Sequence, residues 1–272
     1  MTIAILLPTP EGIVLGTDST VTVSQGGQVA QLYNSAQKIF EIGPVMEGKF
    51  VAGEDFSGGV AFYSAGSFGP TSWRSLVSDF YRERVRTRQD MPNPPTEFLA
   101  FAQAKWAEMQ ASGVVQSTQP IPEGGFLFAT VSKASGFVQG ARVELQKATV
   151  EPSMLNNIQI GGGFDVVSRL LLGYDNGLEP ALASAGFDMA KFGVIAQQFK
   201  AMPETASLPL RDAIDFVHFL AYSAIKLHRY RGGPAQIGGA IEIAAVTPDR
   251  GFRWIVHKPM RDSIGIAKGV MP

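Results

Sequence analysis

The stretch MTIAILLPTPEGIVLGTDST holds two nearly unbroken apolar runs on either side of Pro10-Glu11-Gly12. β-favouring residues flanking a Pro/Gly break predict an antiparallel hairpin over residues 2–9 and 12–19. Residues equidistant from the turn of such a hairpin face one another. Symmetry about Pro10 therefore places Thr2 beside Asp18. An aspartate that follows GIVLG is costly if buried without a partner. Lys38, the first lysine of the chain, sits in the apolar strand QKIFEI and is the natural cation to meet it.

A threonine hydroxyl is a poor nucleophile until a base takes its proton. In a chain that has lost Met1, the Thr2 α-amine can be that base. Its ordinary pKa of about 7.7–8.0 leaves it partly neutral at physiological pH. A nearby lysine lowers that pKa further and stabilises developing negative charge, and an aspartate holds the lysine in place. The chemistry asks for a threonine at the mature terminus, an aspartate opposite and a lysine on the next strand.

Composition excludes several other chemistries. With no cysteine, disulfides, thiolate metal sites and a cysteine nucleophile are ruled out. A net charge of −1 gives no electrostatic argument for nucleic acid or an anionic membrane surface. The basic stretch YRERVRTRQD is short, contains acids and suits a solvated helix C-terminus. No Lys or Arg precedes Lys38, so a secretory signal is not expected. No apolar run approaches the roughly 18 residues of a spanning helix, and a cytoplasmic location is the expectation. His218, His228 and His257 are scattered, predict no metal centre and are expected to pack along helices or strands.

The expected order is strands, two helices, strands, helices, strands, which does not alternate as a parallel α/β fold does. It reads as one α+β domain over 1–272, with antiparallel sheets flanked by helical groups. VSQGGQVAQLYN is expected as a loop, residues 43–59 as an insertion, and the chain after about 258 as a tail. Helices are expected from Thr71 or Ser72 to about Arg86, from Thr96, after the glycine turn GGGFDVV, and through PLRDAIDFVHFLAYSAIKLHRYR. That last helix stops at Gly232-Gly233-Pro234. GGGFDVV as a phosphate cradle lacks a βαβ setting. Phe98, Leu99, Phe101 and Trp106, at helical spacing, are expected core.

TIAILLPTPEGIVLGTDSTVT followed by KIFEI resembles the opening of proteasome-type β-subunits and related bacterial peptidases, which are N-terminal nucleophile hydrolases. Pieces later in the chain, VAFYSAGSFGPTSW, IQIGGGFDVVSRLLLGY and GGAIEIAAVTPDRGFRWI, are similar to further family segments. The resemblance implies a four-layer αββα sandwich, with two stacked, mostly antiparallel sheets between helical layers. It implies Thr2 as nucleophile, Asp18 and Lys38 as its supporting pair, and Gly66 as the backbone N–H facing the oxyanion. Ser64 and Phe68 flank that turn as candidate pocket residues; alternatively Phe68 packs under the following helix. The resemblance further implies a peptidase acting on a peptide or protein substrate, with no metal or organic cofactor, that self-associates into a ring or ring-like homo-oligomer. The chain departs from the family pattern where Gly162 replaces a serine, Pro234 an aspartate, Ile237 a serine and Thr20 a basic residue. Those departures motivate two alternatives: an inactive scaffold or binding subunit of the same fold, and a small-molecule amidase.

Overall fold

A computed structural model describes residues 2–25, 28–42, 56–64, 66–86, 91–132, 136–163, 165–232 and 236–258. Strands β1 (Ile3–Thr9) and β2 (Gly12–Thr17) form the expected hairpin. Their register differs from expectation by one position: Thr9 faces Gly12 and Ala4 faces Thr17. The turn therefore centres between Pro10 and Glu11, the two-residue connection most common in hairpins. A slip of one residue changes every cross-strand partner. Asp18 consequently stands opposite Ile3: its N–H donates to the Ile3 carbonyl at 3.3 Å, and the Ile3 N–H donates to Asp18 Oδ1 at 3.1 Å. The expected direct pairing of Thr2 with Asp18 is corrected accordingly.

VSQGGQVAQLYN, expected as a loop, forms a two-stranded antiparallel ribbon of β3 (Val21–Gln25) and β4 (Gln28–Tyr33). Next come β5 (Ile39–Ile42) and β6 (Phe56–Ser64), so residues 56–59 belong to a strand rather than an insertion. The rest of that expected insertion, residues 43–55, lies outside the described residues, as does the expected tail from 259. Helix α1 (Trp73–Phe80) begins at an N-cap in which Ser72 accepts from the Ser75 N–H, and it continues into a π turn over Tyr81–Val85. Asn93 caps α2 (Pro94–Ala111), whose first positions are prolines, where a missing N–H costs nothing.

Strands β7 (Gly124–Ser132), β8 (Val138–Glu144) and β9 (Thr149–Pro152) complete an antiparallel sheet in the order β5-β6-β7-β8-β9. β10 (Gln159–Gly162) leads into α3 (Asp165–Leu172), α4 (Leu178–Ser184), α5 (Met189–Ala196) and α6 (Leu210–Tyr230). The final hairpin, β11 (Glu242–Thr247) and β12 (Gly251–Val256), joins β10, β1 and β2 in a second sheet ordered β10-β1-β2-β11-β12. The architecture is α+β, with antiparallel sheets.

Every residue of β1 is buried. Its two faces serve different cores, because side chains alternate along a strand. Ile3, Ile5 and Leu7 pack with Val167, Val217, Leu220 and Ala224 of α3 and α6. Ala4 and Leu6 pack with Ala61, Leu127 and Ala129 of the other sheet. The far face of that sheet buries Phe62, Phe126 and Phe128 against Trp73, Phe80, Phe98 and Trp106 of α1 and α2. Among the described residues, no helix is long and apolar enough to cross a membrane.

Candidate active site

The chain buries charge where β1, β2 and β5 come together. Thr2 precedes β1, Asp18 follows β2 and Lys38 precedes β5. Asp18 and Lys38 are 0% exposed and Thr2 is 6% exposed. The Lys38 ammonium donates to Thr2 Oγ1 at 2.9 Å, to Asp18 Oδ1 at 2.7 Å and to the Thr20 carbonyl at 2.5 Å. Its three N–H groups thus have three acceptors. Asp18 is equally saturated: besides Lys38 and the Ile3 N–H, its Oδ2 accepts from the N–H groups of Thr20 at 3.1 Å and Gly238 at 3.0 Å. Buried charges persist only when paired and hydrogen-bonded in this way. The structure therefore brings Thr2, Asp18 and Lys38 together, with Lys38 as the link that the register would otherwise deny.

Burial pulls the Lys38 pKa below the ordinary lysine value; Asp18 opposes that fall, Lys258 adds to it and Glu242 opposes it. A lowered lysine pKa makes the neutral amine accessible nearer to physiological pH. The Lys38 ammonium, 2.9 Å from the Thr2 hydroxyl, is placed to stabilise negative charge developing on Oγ1. The backbone of Thr2 is also held, its carbonyl accepting the Gly163 N–H at 2.8 Å. That clamp explains Gly162. With φ at +83°, a Cβ on Gly162 would stand 1.9 Å from the Thr2 carbonyl oxygen, so no serine fits. Ile237 is wholly buried in the core against α3 and α6. The Thr20 hydroxyl donates to Asn34 Oδ1 at 2.8 Å. Pro234 lies outside the described residues.

The other expected site residues lie on β6 and the turn that follows it. Ser64 ends β6, paired with Gly124. Gly66 is exposed on the following turn, and a Cβ added there would meet open space. Phe68 is corrected as a pocket wall: it is fully buried, its ring 5.2 Å from Trp106 and 5.6 Å from Trp73. It packs under the helices because an aromatic ring there completes the aromatic core.

Glu242 and Lys258 escaped the sequence reading. Glu242, fully buried at the start of β11, accepts the Lys38 backbone N–H on Oε2 at 3.2 Å. Its Oε1 lies 3.0 Å from His257 Nδ1 and 3.4 Å from Lys258 Nζ. An acid inside the apolar run AIEIAAV was the available signal, by the same desolvation reasoning that singled out Asp18. His257 packs against Trp254, as expected of it, with ring centroids 4.2 Å apart, and its Nδ1 also faces the Glu242 carboxylate. His228, on α6, contacts Asp165 at 3.4 Å, and Arg231 pairs with the same carboxylate. Among the described residues, no group of three His, Asp or Glu side chains could hold a metal ion.

No family model matches the chain, and a search of curated proteins found no match. Solved structures do resemble it. One is an Anbu (Gly-1) mutant from Hyphomicrobium sp. strain MC1, at TM-score 0.60 and 10% identity, covering 95% of this chain and 86% of that one. A helical assembly of the Anbu complex from Pseudomonas aeruginosa gives 0.59 and 10%, covering 96% and 88%. Anbu (ancestral beta-subunit) from Yersinia bercovieri gives 0.55 and 10%, covering 94% and 88%. At such identities the likeness is one of fold. Assignment to the N-terminal nucleophile hydrolases of proteasome β-subunit type is corrected on these findings: what the chain resembles is the fold of Anbu proteins.

Proposed function

We propose that the chain is a self-associating, proteasome-like threonine hydrolase, a peptidase that cleaves amide bonds with Thr2 after loss of Met1. The observation that carries this reading is the fully buried Lys38 ammonium 2.9 Å from Thr2 Oγ1. Thr2 Oγ1 attacks the scissile carbonyl carbon, and its proton passes to the freed α-amine, with Lys38 tuning that amine and Asp18 holding Lys38. The tetrahedral intermediate collapses as the C–N bond breaks and the departing amine takes the proton. Water then hydrolyses the threonyl ester and restores the hydroxyl. The Gly66 N–H is assigned the oxyanion and Ser64 the pocket rim, both from the resemblance of VAFYSAGSFGPTSW.

The three stacked cores support a single domain layered helix, sheet, sheet, helix, an αββα sandwich. The helical assembly of the Anbu complex supports self-association, and a ring or ring-like homo-oligomer is the form proposed for it. Light scattering is expected to give a mass of several chains. For the activity, the wild type is expected to cut an undirected peptide library followed by mass spectrometry, and Thr2→Ala to leave it intact. Equal cutting by both would overturn the proposal.

A second reading, a scaffold or binding subunit without catalysis, is favoured by the burial of Thr2 and by glycine and isoleucine at positions 162 and 237. Cutting by neither protein, with assembly intact, is the result that selects it.

A further inference from the structure

We infer that Glu242 is a positioning residue, which sets the place of Lys38 through its backbone and balances the charge around its ammonium. This inference rests on the hydrolase reading and deepens it. Lys38 is held from both sheets: its N–H donates to Glu242 Oε2 of β11 at 3.2 Å, and its carbonyl accepts the Phe62 N–H of β6 at 3.0 Å. The reach of Nζ to Thr2 depends on where that backbone sits. Glu242 faces Lys38 from one side, and His257 and Lys258, just after β12, face the same carboxylate from the other. Lys258 Nζ also comes within 3.5 Å of Ser19 Oγ, beside Asp18. The cluster thus sets Asp18 and Glu242 against Lys38 and Lys258, with His257 Nδ1 on the outer side of the Glu242 carboxylate.

A carboxylate is a costly choice for a mere backbone acceptor in a fully buried strand, since a neutral amide would satisfy the same N–H. Its charge matters because it acts on Lys38, raising the lysine pKa where Lys258 lowers it. Two substitutions therefore push Lys38 in opposite directions. Glu242→Gln keeps an acceptor for the backbone and removes the negative charge. Lys258→Ala removes the positive one from a side chain that still reaches the surface, 16% exposed.

The titration of Lys38, followed by NMR of 13Cε-labelled lysine and assigned with Lys38→Arg, reads this without any need for activity. Glu242→Gln is expected to move the midpoint to lower pH and Lys258→Ala to higher pH. Midpoints that stay put, or move the same way, overturn the inference, and Lys258→Ala decides alone if Glu242→Gln does not fold. Acylation of Thr2 by a β-lactone adds a second readout. Glu242→Ala is expected to slow it by about tenfold or more through misplacement of Nζ, with Glu242→Gln restoring most of the rate at a shifted acid limb. Opposed midpoint shifts without acylation of wild type would sink the hydrolase and leave the positioning. Acylation with unmoved midpoints would do the reverse.

Discussion

On one side of the sheet pair, α1 and α2 cover Phe40, Phe62, Phe126 and Phe128, and rings fill the space: Phe98 meets Phe126 edge-on at 4.9 Å and Phe68 meets Trp106 at 5.2 Å. At the end of β1 and β2 the same molecule buries Asp18, Lys38 and Glu242, all 0% exposed. Aromatic burial stabilises without further condition. A buried ion pair does not, because desolvation consumes most of the attraction, and apolar residues of equal volume often serve stability as well or better. The aromatic side is thus accounted for by folding. The charged side asks for a reason besides folding, and a hydroxyl 2.9 Å from the lysine supplies one.

If that contrast holds, the two regions respond differently to equally damaging substitutions. Asp18→Ala leaves the Lys38 ammonium buried without its partner and is expected to cost about 3–5 kcal/mol in urea unfolding, and to abolish labelling of Thr2. Phe98→Ala should cost a similar ~3–5 kcal/mol, yet the fraction that stays folded should label at the wild-type rate. Loss of labelling in both would erase the distinction. Next in size, Gly162→Ser places a Cβ against the Thr2 carbonyl. It is expected to lose about 1–3 kcal/mol rather than restore a missing catalytic group.

A pH series sharpens the comparison further. The folded-state pKa of Lys38 lies below its unfolded value, so between the two the unfolded chain binds more protons. The Lys38 contribution to stability therefore rises with pH across that interval, up to about 10.4, and is lost as pH falls through the folded pKa. Urea unfolding across alkaline pH should show this slope in wild type and lose it in Lys38→Met; an unchanged slope would contradict the burial argument. The smallest effect belongs to the surface. Lys105→Ala removes pairs with Glu83 at 3.1 Å and Glu108 at 3.6 Å and is expected to change stability by less than about 1 kcal/mol.

Much of this was legible from local chemistry. Pro10-Glu11-Gly12 announced the first hairpin, Ser72 the start of α1, and the apolar spacing of Phe98, Phe101 and Trp106 their place in the core. The register was not legible, because Pro10, Glu11 and Gly12 admit a turn centred on one residue or between two. VSQGGQVAQLYN was misread because its glycines and glutamines masked the continuation of the β-branched run Val21-Thr22-Val23 through β3. Glu242 and Lys258 were missed for a different reason. Glu242 meets Lys38 only after strands 204 positions apart in sequence are folded together, and Lys258 reaches Glu242 from just beyond β12; no local pattern carries that.

The central claim is that Thr2 Oγ1 is a nucleophile, and intact-mass spectrometry after incubation with a β-lactone tests it most directly. The account predicts a wild-type chain lacking Met1 that gains the mass of one acyl group, and a Thr2→Ala chain that gains none. Retention of Met1, or an unlabelled wild type of normal fold and assembly, would contradict it.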